Sequence, residues 1–334
     1  MLHKIFKRKK FDILTIGGAT EDYALHTDEG VLIKNSEDVL RQRLLGFEYG
    51  AKINITKTNL SFGGGAANAS VAASLLGLKS ACLAAVGHDG RGERIIKNLE
   101  RKKVNASLVR GVKGTDSGLS FLLVGNDHEH IVFSSRGANS FLKINGRDLK
   151  NCNLSKWLYL TSLSGEWEDA LKNVFKTKNA AIAWNPGHVQ LKAGVKKIGK
   201  YLKKTGVLIV NKDEAIELAV SDKKFKRKPE EFLNEMDNLL SILKSFGPKI
   251  VVITNGKFGA HAFDGKINYF QPVEQEKKKV DTTGVGDAFG SSFISGLILY
   301  KNDIKKALHL GARNTASAIG HEGAQNGLLT KRDL

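Results

Sequence analysis

Short apolar runs rich in β-branched residues alternate along this chain with segments whose apolar residues recur at helical spacing. The runs at 11–16, 80–86, 156–160, 180–184, 207–210 and 250–254 predict buried strands. The segments at 66–76, 92–102, 166–176, 213–220, 229–246, 288–299 and 304–319 predict helices. Strand followed by helix, repeated, implies an α/β fold with a mainly parallel, doubly wound sheet covered on both faces. Ligands of such sheets gather beyond the carboxyl ends of the strands, where the glycine-rich turns of this chain fall.

Two stretches break the alternation. Residues 28–62 and 118–133 carry period-2 segments, notably 52–56 and 119–124, without a clear helix between them. Two such insertions predict a small sheet beside the main one. No internal repeat or low-complexity linker divides the chain, so 1–334 reads as a single domain, with the basic run 223–229 as its best candidate for an exposed loop.

Composition adds limits. With 334 residues, of which 41% are hydrophobic, the chain can bury a substantial core. Cys82 and Cys152 are far apart and in no metal-like spacing, which points to a reducing, cytoplasmic setting without structural disulfides. No apolar run reaches the ~18–20 residues that span a membrane. The basic start, 1–10, leads into a first strand rather than a signal peptide. The formal charge of +18 is high, but its lysines are spread over 4–10, 196–204, 223–228 and 277–279 without interleaved aromatics. That favours a soluble surface, or one that attracts anionic substrates, over a specific nucleic-acid partner.

The most informative stretch is Asp281-Thr282-Thr283-Gly284-Val285-Gly286-Asp287 ahead of an apolar helix. Such a turn can aim backbone N–H groups at one spot on the positive end of a helix, which is an anion site. A carboxylate at Asp287 beside it suits phosphoryl transfer to a hydroxyl, with Asp287 as base and Gly284, Val285 and Gly286 as the anion hole. An ordinary acidic helix start has the same spacing. In Phe62-Gly63-Gly64-Gly65-Ala66-Ala67-Asn68, the glycines allow close approach of a ligand and the Asn68 amide suits a vicinal diol. Asn211 and Glu214 stand i, i+3 apart, which fits either a capping box or a pair that acts on magnesium and phosphates through water.

The stretch at 281–287 resembles the Asp-Thr-x-Gly-Ala-Gly-Asp signature of the ribokinase-like (PfkB) carbohydrate kinases, with Val285 in place of the usual Ala. The run at 63–68 is similar to that family's Gly-Gly-x-x-x-Asn turn, and Asn211 to Glu214 to its Asn-x-x-Glu element, all in the family's order. The resemblance implies an ATP-dependent kinase acting on an alcohol of a sugar or nucleoside, with Mg2+ carried by the nucleotide and the small sheet as a lid over the sugar. It implies sugar binding by Asp22, Gly63, Gly64, Asn68 and Asn139, with Glu21 as the neighbour that competes for the role of Asp22. It implies nucleotide binding by Asn211, Thr254, Gly256, Gly259 and Asn314. Glu214 would reach magnesium, and the backbone near Asp281 and Thr283, with the loop at 321–325, would hold a monovalent cation such as K+. Pairing of two chains through the lid is a further expectation.

Substrate identity is less determined. Arg136, ahead of Gly137-Ala138-Asn139, is placed to meet an anionic group, whereas Asp22 and Asn68 are polyol readers. Those two readers make a neutral furanose, free or as a nucleoside, the expected substrate, while the strand at 156–160 ends without the acid through which a ribokinase reads its sugar, which weakens free ribose in particular. The rival class is a non-catalytic protein of the same fold that binds nucleic acid or a small ligand. A dinucleotide-binding oxidoreductase is a third reading that fits poorly, because Gly17-Gly18-Ala19-Thr20-Glu21-Asp22 lacks the Gly-x-Gly-x-x-Gly spacing.

Overall fold

A computed structural model describes residues 9–34, 43–125, 130–275 and 280–334. Parts of both period-2 insertions and most of the basic runs at 4–10 and 277–279 lie outside the described residues. The main sheet has eight strands, in the order Asn268–Gln271, Ala260–Phe263, Ile250–Thr254, Val207–Asn211, Ala181–Trp184, Ser155–Leu160, Phe11–Ile16, Ser80–Leu83. The six from Ile250–Thr254 to Ser80–Leu83 run parallel, and the first two are antiparallel additions at one edge. Consecutive residues of the parallel strands feed opposite faces. Leu158, Leu160, Trp184 and Leu208 enter one buried cluster, while Ile13, Tyr159, Ala183 and Ile209 enter the other. Burial on both faces is why these strands read as continuous apolar runs.

The small sheet is real and larger than the insertions suggest. Its four strands run in the order His130–Ser135, Gly118–Val124, Thr20–His26, Lys57–Gly63. The strand Thr20–His26 therefore carries Asp22 into the small sheet itself, directly after Gly17 and Gly18 leave the main sheet. Gly17 has φ 152°, and a Cβ there would stand 2.1 Å from Thr161 Oγ1, so only glycine makes this exit. A separate pair, Val31–Lys34 with Arg43–Gly46, sits beyond the sheet.

Several expected bounds are corrected. The segment 52–56 alternates as a strand should, yet it is a loop, and the strand begins at Lys57. Thr27 Oγ1 donates to Asn54 O, and Asn54 N donates to Glu29 Oε1, so side chains rather than a ladder take up this backbone. The helix expected over 229–246 is two, Glu230–Asn234 and Met236–Ser245, separated at Glu235 with an extended ψ of 122°. The run at 80–86 likewise divides into Ser80–Leu83 and Ala85–Gly87, the latter pairing with Arg110–Val112. Residues 223–229 form turns and are mostly exposed, as expected of a loop. Cys82 and Cys152 are buried and unpaired. No described helix is long and apolar enough to cross a membrane.

Candidate active site

The helix Val285–Leu299 begins beyond the sheet's carboxyl edge, and Gly284 caps it in the left-handed region at φ 74°. A Cβ on Gly284 would lie 2.4 Å from the Ala324 Cβ, so the C-terminal loop closes directly over this turn. A Cβ on Gly286, in contrast, would meet nothing within 4 Å, so this side of the turn is open to a ligand. The expected anion hole shifts along the turn: Val285 N already donates to Thr282 O at 3.4 Å, whereas among the described residues the N–H groups of Gly286 and Asp287 have no acceptor. Two unpaired donors at the positive end of a 15-residue helix form an anion cradle.

Asp287 stands in that first turn. Its Oδ2 accepts a 2.9 Å hydrogen bond from Asn68 Nδ2, while Oδ1 has no partner among the described residues. Burial pushes its carboxyl above the usual range; the Asn68 donor opposes this, and the nearby charge of Asp22 adds to it. Gly65 leaves room for the free oxygen, since a Cβ there would be 3.2 Å from Oδ1. An accessible, poorly solvated carboxylate oxygen is what a general base offers.

Strand alternation separates Glu21 from Asp22. Glu21 is fully buried on one face and forked by Arg94, at 2.6 Å from Nε and 2.8 Å from Nη2. Asp22 turns to the opposite face, where Oδ1 accepts from Thr20 Oγ1 at 2.8 Å. Its other oxygen lies over Gly63, 1.9 Å from where a Cβ would be, so Gly63 exists to let Asp22 in. Burial also raises the Asp22 carboxyl, against hydrogen bonds from Thr20 and Ser120. Gly64, at φ 88°, brings the helix Gly65–Leu75 and Asn68 up against the Gly18-Ala19 backbone.

The other expected residues fall into two groups. Thr254, Gly256 and Gly259 form a turn after the strand Ile250–Thr254, with both glycines at positive φ and Gly256 exposed. Asn211 and Glu214 make a reciprocal capping box, with bonds of 2.9 and 2.8 Å, that leaves Glu214 Oε1 unpaired among the described residues. Burial raises the Glu214 carboxyl. Asn139 and Asn314, by contrast, spend their amides inside the protein. Asn139 makes two 3.0 Å bonds with the Ala19 backbone, and Asn314 bonds Ser292 Oγ and Leu329 N. Asp281 takes the N–H groups of Thr283 and Gly323, one on each oxygen at 2.8 Å, and so ties the signature turn to the terminal loop. Glu322 of that loop pairs with Lys57 and Asn59 of the small sheet. Thr283 Oγ1 is a buried atom without a partner among the described residues.

Sequence profiles of known families decide the assignment: that of the pfkB family carbohydrate kinases matches residues 38–331. The chain belongs to this family. It is accordingly a phosphotransferase with an alcohol as acceptor. The ATP-dependent 6-phosphofructokinase of Thermoanaerobacterium thermosaccharolyticum is 26% identical over 96% of this chain and 91% of its own length. The ATP-dependent ribose-1-phosphate kinase of Halopiger xanaduensis is 26% identical over 84% of this chain and 87% of its own. The solved structure of Arabidopsis thaliana ribokinase, complexed with ribose and ATP, shares the fold with a TM-score of 0.78 over 97% of each chain at 18% identity. Sequence reasoning missed Asn98 and placed Gln325 only in the cation loop; Gln325 bonds both Asn98 and Asn68, across 227 and 257 positions of chain.

Proposed function

We propose that this chain transfers the γ-phosphoryl group of ATP to a furanose hydroxyl, free or in a nucleoside, with Asp287 as general base. The observation that carries this is the pairing, in one helix turn, of a carboxylate oxygen without a partner and two N–H groups without acceptors. As the substrate oxygen attacks phosphorus, its proton passes to Asp287 Oδ1. The bond from phosphorus to the bridging oxygen breaks, and ADP leaves. The N–H groups of Gly286 and Asp287 face the charge on the transferring group, where preorganised donors act most strongly. Asp22 holds the sugar, with the second hydrogen of Asn68 Nδ2 left for a hydroxyl once the first is on Asp287, and the turn at 254–259 lies along the nucleotide.

Mg2+ would neutralise the phosphates when bound, and Glu214 fits a role toward it through water, since it is half-buried and one of its oxygens is unpaired among the described residues. A monovalent cation fits beside Thr283, whose Oγ1 lacks a partner among the described residues. Asn139 and Asn314 act in this reading by holding the loops that line the site.

Transfer to a sugar rather than to water requires closure of the lid. Hydrogen exchange in 57–63 and 118–124 should slow when substrate saturates the site; unchanged exchange there removes the lid. On the lid face opposite Asp22, Leu60, Phe121, Ile131 and Phe133 are between 38% and 58% exposed, an apolar patch that suits pairing of two chains. Sedimentation should then show a dimer, and Phe133→Asp should shift it to monomer.

A second reading of the substrate rests on Arg136, which is exposed and whose side chain has neither hydrogen bond nor ion pair among the described residues. Two relatives are named for kinases of phosphorylated sugars. A screen with ATP, magnesium and potassium across pentoses, hexoses, sugar phosphates, keto-deoxy acids and nucleosides separates the two. A neutral furanose should give the highest kcat/KM. A tenfold preference for an anionic sugar, lost in Arg136→Ala, would make Arg136 the specificity residue instead.

A further inference from the structure

Four side chains behind the site form a continuous chain of hydrogen bonds from the surface to the base. Arg101, exposed at the end of the helix Gly90–Arg101, donates from Nη2 to Asn98 Oδ1 at 3.1 Å. Asn98 Nδ2 donates to Gln325 Oε1 at 2.8 Å, Gln325 Nε2 to Asn68 Oδ1 at 3.0 Å, and Asn68 Nδ2 to Asp287 Oδ2 at 2.9 Å. The three amides are buried, at 4%, 5% and 5% exposure.

The direction of this chain is fixed by its ends. An amide can turn over with little change in shape, exchanging donor for acceptor. A guanidinium only donates and an ionised carboxylate only accepts, so with Arg101 at one end and Asp287 at the other, every amide between must present its oxygen outward and its NH2 inward. An inverted amide anywhere in the row would set two acceptors or two donors face to face in a buried place, at the cost of an unmade bond.

We propose that Arg101, Asn98 and Gln325 are positioning residues of the kinase reaction, a polarised amide relay that keeps the NH2 of Asn68 turned toward Asp287. The inference rests on Asp287 as base. In this role Asn68 holds Oδ2, which leaves Oδ1 directed at the substrate and favours the ionised form against burial. The other charged or titratable groups near Asp287 are Asp22 from the lid strand and Tyr159 from the central strand; neither belongs to the relay.

Gln325→Glu is nearly isosteric but cannot donate to Asn68, so the Asn68 amide turns its oxygen to the base. The expected result is a fall in kcat of about 10–100-fold, as for loss of a hydrogen bond to a charged group, with KM for ATP unchanged. The acid limb of the kcat profile should move to higher pH. Arg101→Glu, at the exposed end and remote from substrate, should move that limb in the same direction by less, and Arg101→Lys should restore it. Carboxyl NMR of Asp287 in the ligand-free protein reads the same shift without activity. A wild-type chain that phosphorylates no acceptor would defeat the kinase mechanism, while the NMR comparison would still judge the relay. If folded Gln325→Glu and Arg101→Glu proteins titrate Asp287 as the wild type does, the relay is wrong. A change confined to potassium dependence would also overturn it, because Gln325 would then act only through its loop.

Discussion

Asp287→Asn should lower kcat by about 10²–10⁴-fold while leaving KM for sugar and ATP close to wild type, the mark of a group that acts on the proton in the transition state. Residual activity is expected, since the N–H groups at the helix start and the binding contacts persist. Wild-type turnover in this variant refutes the base assignment. The same residue sets two pH effects. Activity requires the ionised base, and burial raises its carboxyl, so kcat should fall on the acid side at a pH above the ordinary carboxylate range. For stability the sign is opposite. A carboxyl that holds its proton more tightly folded than unfolded stabilises the fold below its unfolded pKa, and that contribution is lost as pH rises through the folded one. Asn cannot ionise. The variant should therefore melt above the wild type at neutral pH, with the gap closing as pH falls.

Gly63→Ala should be the most damaging change that leaves every chemical group of the site in place. Its Cβ would stand 1.9 Å from Asp22 Oδ2, so the carboxylate must leave its position between Thr20 and Ser120. Losing one charged reader of two hydroxyls costs about 1.5–3 kcal/mol per hydrogen bond, or roughly 10²–10⁴-fold in kcat/KM for the sugar when both are lost. Asp22→Ala should produce the same loss, and the double variant should add little to either, because both remove one interaction. Full additivity would place the effect of Gly63 elsewhere, in the backbone that carries Asn68.

The parallel strands were legible because each is buried on two faces and so reads as an unbroken apolar run; Leu158-Tyr159-Leu160 feeds both cores at once. The strand Thr20–His26 was hidden by its polar residues, since a run holding Thr20, Glu21, Asp22 and His26 has no apolar period. The antiparallel edge, Ala260–Phe263 and Asn268–Gln271, is short and half-exposed, which weakens the same signal. The helix His188–Leu202 carries Gly194 at φ 71° and several lysines, which blur its period. Within the site, spacing alone placed Asp287 in a glycine frame and left Asn211 and Glu214 open between capping and metal; the structure shows the cap, and the cap leaves one Glu214 oxygen for a second role. Long-range partners are the part no local pattern encodes: the Asn139 grip on Ala19, the Asn314 grip on Leu329, and Gln325 between Asn98 and Asn68 are tertiary contacts of side chains that look like ordinary helix and loop polar residues.

The most direct test is phosphorus NMR of the protein with ATP, magnesium and potassium against a set of furanoses, hexoses, sugar phosphates and nucleosides. The expected result is ADP and a phosphomonoester of one acceptor appearing in equal amounts, with Asp287→Asn reducing both alike. No phosphomonoester from any acceptor, or ADP accompanied only by inorganic phosphate, would contradict the assignment of Asp287 and its helix turn to phosphoryl transfer onto an alcohol.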